Sequence, residues 1–214
     1  MTREAAAGGR DLYHLDECGF APTLPTCSTW ARVGTRPRVP YEAPQGQRVN
    51  VIGALAAAGP RPRFVYASRR AQRAARGKAR PRAPRDPGRL DSAAFLAFVC
   101  REVAELPAAW DALPPGYVRE RPCTIALDNY SVHHSKDVQA ATPVLAAAGV
   151  TFFYLPPYSP ELSTIEPVWH HTKYTDITTR SYPNGAALQA AVNEALDRRA
   201  ATVRHPTQHF PRGA

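Results

Sequence analysis

The chain has 214 residues, a formal net charge of +9 and an apolar fraction of 44%. This length is enough for one domain with a sizeable core, and the apolar fraction is typical of a globular protein. No stretch approaches the roughly 20 consecutive apolar residues of a transmembrane helix. The N-terminal sequence MTREAAAGGR also lacks the apolar centre of a signal peptide. We therefore expect a cytoplasmic protein that has no membrane partner.

The excess positive charge is concentrated in one segment. Between Arg61 and Arg89 the sequence has eleven Arg or Lys residues and one acid, Asp86, so this segment carries +10 and the rest of the chain is close to neutral. Residues 68–90 show no apolar periodicity and end in several prolines, which predicts a flexible basic insertion at the surface. Such a segment is suited to phosphate contacts. A solvated loop without a partner is the alternative.

Three strands joined in a meander are predicted for the first third of the chain. The first is short, from Leu12 to Leu15, and Asp16 ends it. A long loop rich in Pro, Gly and Thr follows, and then two apolar strands. These two strands span Val49–Leu55 and Arg63–Ala67. Residues 1–10 have no partner in this pattern and are expected to be disordered.

Helices alternate with strands in the remainder of the chain. Asp91 or Ser92 can cap a helix that ends near Leu106, and Ser135 can cap the next one, which Pro143 should kink or split. Two apolar strands, Thr124–Leu127 and Val150–Leu155, lie on either side of the second helix, and Ala186–Ala200 is the last amphipathic helix. Residues 204–214 are predicted to be a frayed tail. The order of elements indicates an α/β domain with a mixed sheet.

Acidic residues stand where two of these strands stop. Asp16 follows the first strand, and Asp128-Asn129 abruptly ends the run Thr124–Leu127. Ligands of open α/β sheets bind at the carboxyl ends of strands. Glu166 belongs to a helix that should begin near Ser163 or Thr164, after the turn that Pro156-Pro157 introduces. A strand-end aspartate and a helix-borne glutamate could therefore converge on one metal site.

Each acidic residue also has a purely structural explanation. Asp16 could simply end a strand beside Glu17, and one of that pair could be solvated. Asp128 could belong to an ordinary turn. Ser163-x-x-Glu166 matches a capping box, in which the glutamate only returns a hydrogen bond to the cap residue. Glu161 is a rival for the third carboxylate, ranked lower because it precedes the helix.

Several of these segments carry a family resemblance. HLDECGF, LDNYSVHHSKDV and YLPPYSPELSTIEPVW together resemble the DDE transposase domain of the mariner-like superfamily of bacterial insertion sequences. The resemblance implies an RNase H-like fold, with a mixed sheet of about five strands flanked by helices. It also implies cleavage and joining of DNA strands with two divalent ions, Mg²⁺ or Mn²⁺. By position, its catalytic and metal-binding residues would be Asp16, Asp128 and Glu166.

The resemblance extends these expectations to further residues and to partners. Asn129 and His133 would support the carboxylates, and the partners would be transposon-end and target DNA, with a homodimer possible. The residues expected to contact DNA are Arg69, Arg70, Arg73, Arg76, Lys78, Arg80, Arg82, Arg85 and Lys173. The catalytic domain would span residues 11–203.

The family's helix-turn-helix domain precedes the first catalytic strand, and only about a dozen residues precede that strand here. We therefore expect a truncated or split-gene product. The alternatives are an RNase H-like nuclease, such as a resolvase, that does not join strands, and a catalytically silent nucleic-acid-binding remnant.

Overall fold

A computed structural model describes residues 1–22, 32–35, 48–71, 88–157, 159–177 and 182–204. Within these ranges the α-helices and strands form a five-stranded sheet with helices on both faces. In chain order they are α1 (Thr2–Ala6), β1 (Asp11–Phe20), β2 (Val49–Ala56), β3 (Arg63–Arg70), α2 (Ser92–Phe98), β4 (Cys123–Leu127), α3 (Lys136–Ala147), β5 (Val150–Tyr154), α4 (Glu166–His171) and α5 (Gly185–Arg204).

The sheet has the strand order β3-β2-β1-β4-β5. The first three strands are antiparallel neighbours, whereas β4 is parallel to β1 and β5 is parallel to β4. The predicted α/β class, the meander and the mixed sheet are therefore confirmed. Because β4 is central and parallel to both neighbours, its carboxyl end opens at one edge of the sheet, where the chain leaves it at Asp128.

The first strand is longer than the sequence predicts, because each of its halves has a different partner. Its parallel pairing with β4 ends at His14, opposite Ala126. Its antiparallel pairing with β2 continues to Phe20. Asp16 therefore lies within β1, at the point where the neighbouring strand β4 stops, and the prediction that Asp16 ends the strand is wrong.

Successive side chains of β1 face opposite sides of the sheet, as strand geometry requires. Leu15 packs in the core cluster that contains residues of α2 and α3. Cys18 and Phe20 pack in the cluster that contains residues of α4 and α5. Asp16 accordingly faces α4, and Glu17 faces the opposite side.

Gly53 makes room for the close approach of α4 to the sheet. It is the partner of Asp16 in the β1–β2 ladder. A Cβ atom at position 53 would lie 2.6 Å from Cη2 of Trp169, and the Trp169 ring packs edge-on against Phe64 at 6.1 Å between ring centroids. The absent side chain of Gly53 thus creates the space that the indole occupies.

The N-terminal residues pack against the domain, so their predicted disorder is wrong. Ala5 of α1 is fully buried. Arg10 donates hydrogen bonds to Glu4 at 2.9 Å and to Thr124 at 2.7 Å. Gly59 has φ of +107°, and a Cβ atom there would lie 2.7 Å from the Ala5 carbonyl oxygen, so α1 sits directly on the turn after β2. These contacts supply the burial and hydrogen bonds that the sequence pattern does not reveal.

The two predicted helix caps are confirmed. Asp91 Oδ1 accepts from the Ala94 N–H at 3.0 Å, and a π-helical turn, Val99–Val103, continues α2. Ser135 Oγ accepts from the Val138 N–H at 3.4 Å at the start of α3. Pro143 lies inside α3, and the helix continues on both sides of it, so Pro143 does not split the helix.

Several predictions concern residues outside the described ranges. These are Cys27, most of the loop from Cys18 to Pro44, residues 72–87 of the basic insertion and the tail from residue 205. The described cysteines Cys18, Cys100 and Cys123 are buried free thiols, as expected. Strand β3 runs three residues beyond its predicted end, so Arg69 and Arg70 are paired strand residues. No helix in the described part of the chain is long and apolar enough to cross a membrane.

Candidate active site

A cleft of about 440 Å³ opens at the carboxyl end of β4, and Asp16, Asp128 and Glu166 all line it. The last parallel pair of β1 and β4 joins His14 to Ala126. Asp16 lies two residues beyond His14 in β1, and Asp128 lies two residues beyond Ala126, immediately after β4 ends, so both carboxylates reach the same cleft. The remaining lining residues are Leu15, Asn129, Tyr130, Leu155, Pro156, Pro157, Ser159 and Ser163.

Asp16 is the most buried of the three carboxylates. Burial and the nearby charge of Glu17, with a smaller contribution from Asp128, raise the pKa of Asp16 to about 6. Its Oδ2 accepts a hydrogen bond from the Trp169 indole Nε1–H at 3.0 Å. Because Trp169 lies one helical turn after Glu166 in α4, this bond links the helix that carries one carboxylate directly to another carboxylate.

Asp128 is more exposed and is held by two neighbours. Its Oδ1 accepts from the Tyr130 N–H at 3.0 Å and lies 3.1 Å from Nδ1 of His133. The hydrogen bond from His133 is the main reason that the pKa of Asp128 is lowered, so this carboxylate is held in its charged form.

His133 is fully buried between two carboxylates on the face opposite α4. Its Nε2 lies 3.2 Å from Glu17 Oε1, and its ring packs against Phe95 at 4.8 Å between centroids. Burial alone would lower the pKa of His133, but the hydrogen bonds to Asp128 and Glu17 outweigh burial and raise it to about 10. The charged His133 ring therefore contacts Asp128 from the side of the sheet opposite α4.

Glu166 is exposed at the first position of α4. The helix begins at Glu166 rather than at Ser163 or Thr164, and its N-cap residue, Ile165, makes no side-chain capping bond. The Glu166 carboxylate makes no hydrogen bond to another residue within the described ranges, so the capping-box explanation has no support. Glu161 lies in a preceding 3₁₀ turn and does not line the cleft.

The three carboxylates match a hard divalent cation in donor chemistry. Magnesium takes oxygen ligands and usually keeps water in several positions, so one or two carboxylates for each ion are enough. A cation between Asp16 and Asp128 would relieve the repulsion that contributes to the raised pKa of Asp16. Among the described residues, however, no three potential ligands already stand close enough to hold an ion together.

The other predicted site residues have varied positions. Asn129 lines the cleft, and its Nδ2 donates to the Leu155 carbonyl at 2.8 Å, which ties the ends of β4 and β5 together. Lys173 is half-buried instead of exposed, because its Nζ lies over the Phe20 ring at 5.5 Å from the centroid. Arg69 and Arg70 are exposed at the end of β3. The other six predicted DNA contacts lie outside the described residues.

Two residues of this site are not among those that the sequence singles out as functional. The sequence pattern gives Trp169 no functional role, and it identifies Glu17 only as the neighbour of Asp16 in a pair of which one residue could be solvated. The strand period could have separated Asp16 from Glu17, since adjacent strand residues face opposite sides. The hydrogen bond from Trp169 has no sequence signal beyond its position three residues after Glu166.

Removing the indole N–H should abolish the hydrogen bond that orients Asp16 and leave an aromatic ring in the core. For Trp169→Phe, we expect roughly 10- to 100-fold weaker Mn²⁺ binding, as for the loss of other groups that orient metal ligands. The aromatic contact with Phe64 should largely remain. Calorimetric titration with Mn²⁺, beside Tyr174→Phe as an exposed aromatic control, measures the effect. Equal Mn²⁺ affinities for wild type and Trp169→Phe would show that this bond does not orient Asp16.

Comparison with known protein families identifies one match. A family model described as "DDE superfamily endonuclease" matches residues 74–189, which is more than half of the chain. The matched region includes Asp128 and Glu166. A search of curated proteins finds no match.

Several solved structures of similar fold are complexes of the Mos1 transposase. The Mos1 transposase paired-end complex with left transposon end has a TM-score of 0.55 and 11% identity, and covers 90% of this chain and 48% of that chain. The Mos1 strand transfer complex has a TM-score of 0.56 and 13% identity, and covers 91% and 48%. A Mos1 mariner paired-end complex with Mn has a TM-score of 0.51 at 12% identity. This chain spans about half the length of the Mos1 chains that it matches. The similarity of fold, together with the mixed five-stranded sheet, confirms the predicted RNase H-like fold.

Proposed function

The chain belongs to the DDE superfamily endonuclease family, and from this premise we propose that it is the catalytic domain of a transposase. In this proposal the domain cuts and joins DNA strands at the cleft lined by Asp16, Asp128 and Glu166. The observation that supports it most is that Asp16 and Asp128, each two residues beyond the last parallel pair of β1 and β4, line one cleft at the carboxyl end of β4. Glu166 lines the same cleft from α4.

The chain's own residues would hold and orient the metal ligands. Asp16 and Asp128 would bind the metal, Trp169 would orient Asp16, and His133 would keep Asp128 charged. Glu166 would complete the site from α4. Family membership implies a divalent ion, and we propose two ions, Mg²⁺ or Mn²⁺. Bound there, they would activate the attacking oxygen and stabilise the leaving one.

DNA is the proposed partner, both as transposon ends and as target. The similar Mos1 structures are a complex with a left transposon end and a strand transfer complex. The basic composition of residues 61–89 is consistent with a polyanionic partner. We extend the paired-end arrangement of Mos1 to this chain as a homodimer.

Two assays on the purified chain test this function. A supercoiled plasmid incubated with Mg²⁺ or Mn²⁺ should be nicked, and EDTA should abolish nicking. A labelled oligonucleotide with a free 3′ end should then become joined to the plasmid. Nicking without joining would favour an RNase H-like nuclease. Binding without nicking would favour a silent nucleic-acid-binding remnant.

The basic residues between β3 and α2 should control the salt dependence of DNA binding. We expect replacement of Arg73, Arg76, Lys78, Arg80, Arg82 and Arg85 by Gln to weaken binding to all duplexes alike, because phosphate contacts carry no sequence information. If these residues neutralise about five phosphates, the slope of log affinity against log salt should flatten by about 4.5. Fluorescence anisotropy at several NaCl concentrations measures both slopes.

The matched control for the basic residues is a protein with an altered cleft and an intact basic segment. Glu166→Gln should keep the wild-type salt slope, because a change of one carboxylate removes no basic contact. Equal slopes for the Gln-substituted and wild-type proteins would identify the basic segment as a solvated loop without a DNA partner.

A further inference from the structure

A second groove joins the candidate active site on the side away from Glu166. It has a volume of about 360 Å³ and shares Asp16, Asp128 and Tyr130 with the first cleft. Its other walls include Glu17, Asn50, Arg48 and Arg89, with Cys18, Gly19 and Leu90. The two depressions therefore form one path that passes directly over the paired aspartates.

Arg48 is held over the backbone of β1. It is an exposed residue immediately before β2, and its guanidinium covers Gly19 so closely that a Cβ atom at position 19 would overlap it. The absence of a side chain at Gly19 thus allows Arg48 to lie along the groove.

Arg89 lines the same groove, at the point where the chain re-enters the described domain. The preceding carbonyl, that of Gly88, accepts a hydrogen bond from Asn50 Nδ2 at 2.9 Å. A Cβ atom on Gly88 would overlap the carbonyl oxygen of Arg70, so the chain rejoins the described domain in close contact with the end of β3. Arg89 is exposed beyond this anchored point.

Neither arginine is neutralised by a carboxylate within the described ranges. Glu17, the acidic neighbour that is not a proposed metal ligand, is already paired with the buried His133. No carboxylate in the described part of the chain therefore competes with an anionic ligand for these two guanidinium groups, and a divalent metal would neutralise the two aspartates beside them. Arginine favours phosphate as such a ligand, because its planar fork can donate two parallel hydrogen bonds.

We propose that this groove binds the DNA strand on one side of the phosphate that is cut, with Arg48 and Arg89 contacting the phosphates of that side. The inference rests on the proposed function and adds the path that the DNA strand takes across the active site. The cleaved phosphate lies at the paired aspartates, and the flanking phosphates on one side follow the two arginines. The part of the strand on the other side of the cleaved phosphate lies in the cleft beside Glu166.

A set of DNA duplexes with one neutral methylphosphonate each, placed at successive positions on both sides of the cut, tests the proposal. For the wild-type protein we expect binding in Ca²⁺ to fall about tenfold when the neutral group replaces a phosphate that contacts an arginine. In Arg48→Gln, one of the sensitive positions should become insensitive. A methylphosphonate at that position should weaken binding no further, because the arginine that contacts the phosphate there is absent. Fluorescence anisotropy provides this measurement independently of cleavage.

Gly19→Ala tests whether the position of the Arg48 guanidinium matters, and not only its positive charge. The substitution keeps the arginine but displaces its guanidinium, so it should reproduce the position-specific behaviour of Arg48→Gln. Arg101→Gln is the matched control, because Arg101 is exposed and does not line the groove. It should retain the full wild-type sensitivity at every position.

The outcomes distinguish the groove from the activity. Sensitivity that is equal on both sides of the cut, or unchanged in Arg48→Gln, would overturn the groove assignment even if the protein nicks DNA. A one-sided pattern that depends on Arg48, in a protein without metal-dependent nicking, would support the groove and reject the catalytic function. If Arg48→Gln alters only Mn²⁺ affinity, the arginine merely balances the charge of the carboxylates and the proposal fails.

Discussion

Asp128→Asn is expected to lower metal-dependent DNA nicking by roughly a thousandfold or more, an effect of several kcal/mol on the barrier. The substitution removes the negative charge of a proposed metal ligand and changes its volume little. The amide oxygen can still accept from the Tyr130 N–H, which Asp128 Oδ1 accepts at 3.0 Å in the wild type. The rate of plasmid nicking with Mg²⁺, compared at equal protein concentration, measures the effect.

The thermal unfolding of Asp128→Asn provides the control for loss of structure. We expect a small change in stability, because the lost attraction to His133 is opposed by relief of the repulsion between Asp128 and Asp16. A stable variant that still nicks DNA at a rate near that of wild type would reject Asp128 as a metal ligand.

The largest effect on stability is expected for His133→Ala. The substitution leaves Glu17, whose side chain is only 14% exposed, without its partner. It also opens a cavity beside the Phe95 ring. Removing one partner of a buried ion pair typically costs about 3–5 kcal/mol. Denaturant unfolding of wild type and His133→Ala measures the difference in the free energy of unfolding.

The neighbouring histidine provides a matched control. His134 is exposed, and its ring stacks on Tyr154 at 4.7 Å between centroids. His134→Ala should therefore cost less than about 1 kcal/mol, as most exposed substitutions do. Similar losses for both variants would contradict the buried pair between His133 and Glu17.

The sequence predicts the fold well wherever one local signal decides the structure. The apolar runs at β4 and β5 and the caps Asp91 and Ser135 lie where their patterns place them. The meander also follows, because a short turn joins β2 to β3 and strands that are consecutive in the chain are usually neighbours in a sheet. These features depend on neighbouring residues, so a single sequence is enough to locate them.

The discrepancies concern contacts between distant segments. Asp16 lies inside a strand because β2 pairs with the second half of β1, and no local signal in HLDECGF predicts that pairing. The N-terminus is ordered because Arg10 meets Thr124 on another strand. The support of the site is equally non-local, since Trp169 reaches Asp16 across the space left by Gly53. Spacing along the chain predicts the acidic residues but not the side chains that orient them.

Anomalous diffraction from crystals grown with Mn²⁺ tests the central claim most directly, because it locates the metal relative to each carboxylate. We predict strong peaks between Asp16 and Asp128, with the Glu166 carboxylate drawn towards them and Glu161 remote from every peak. Manganese bound elsewhere, with these three carboxylates free of metal, would contradict the assignment of this cleft as the active site.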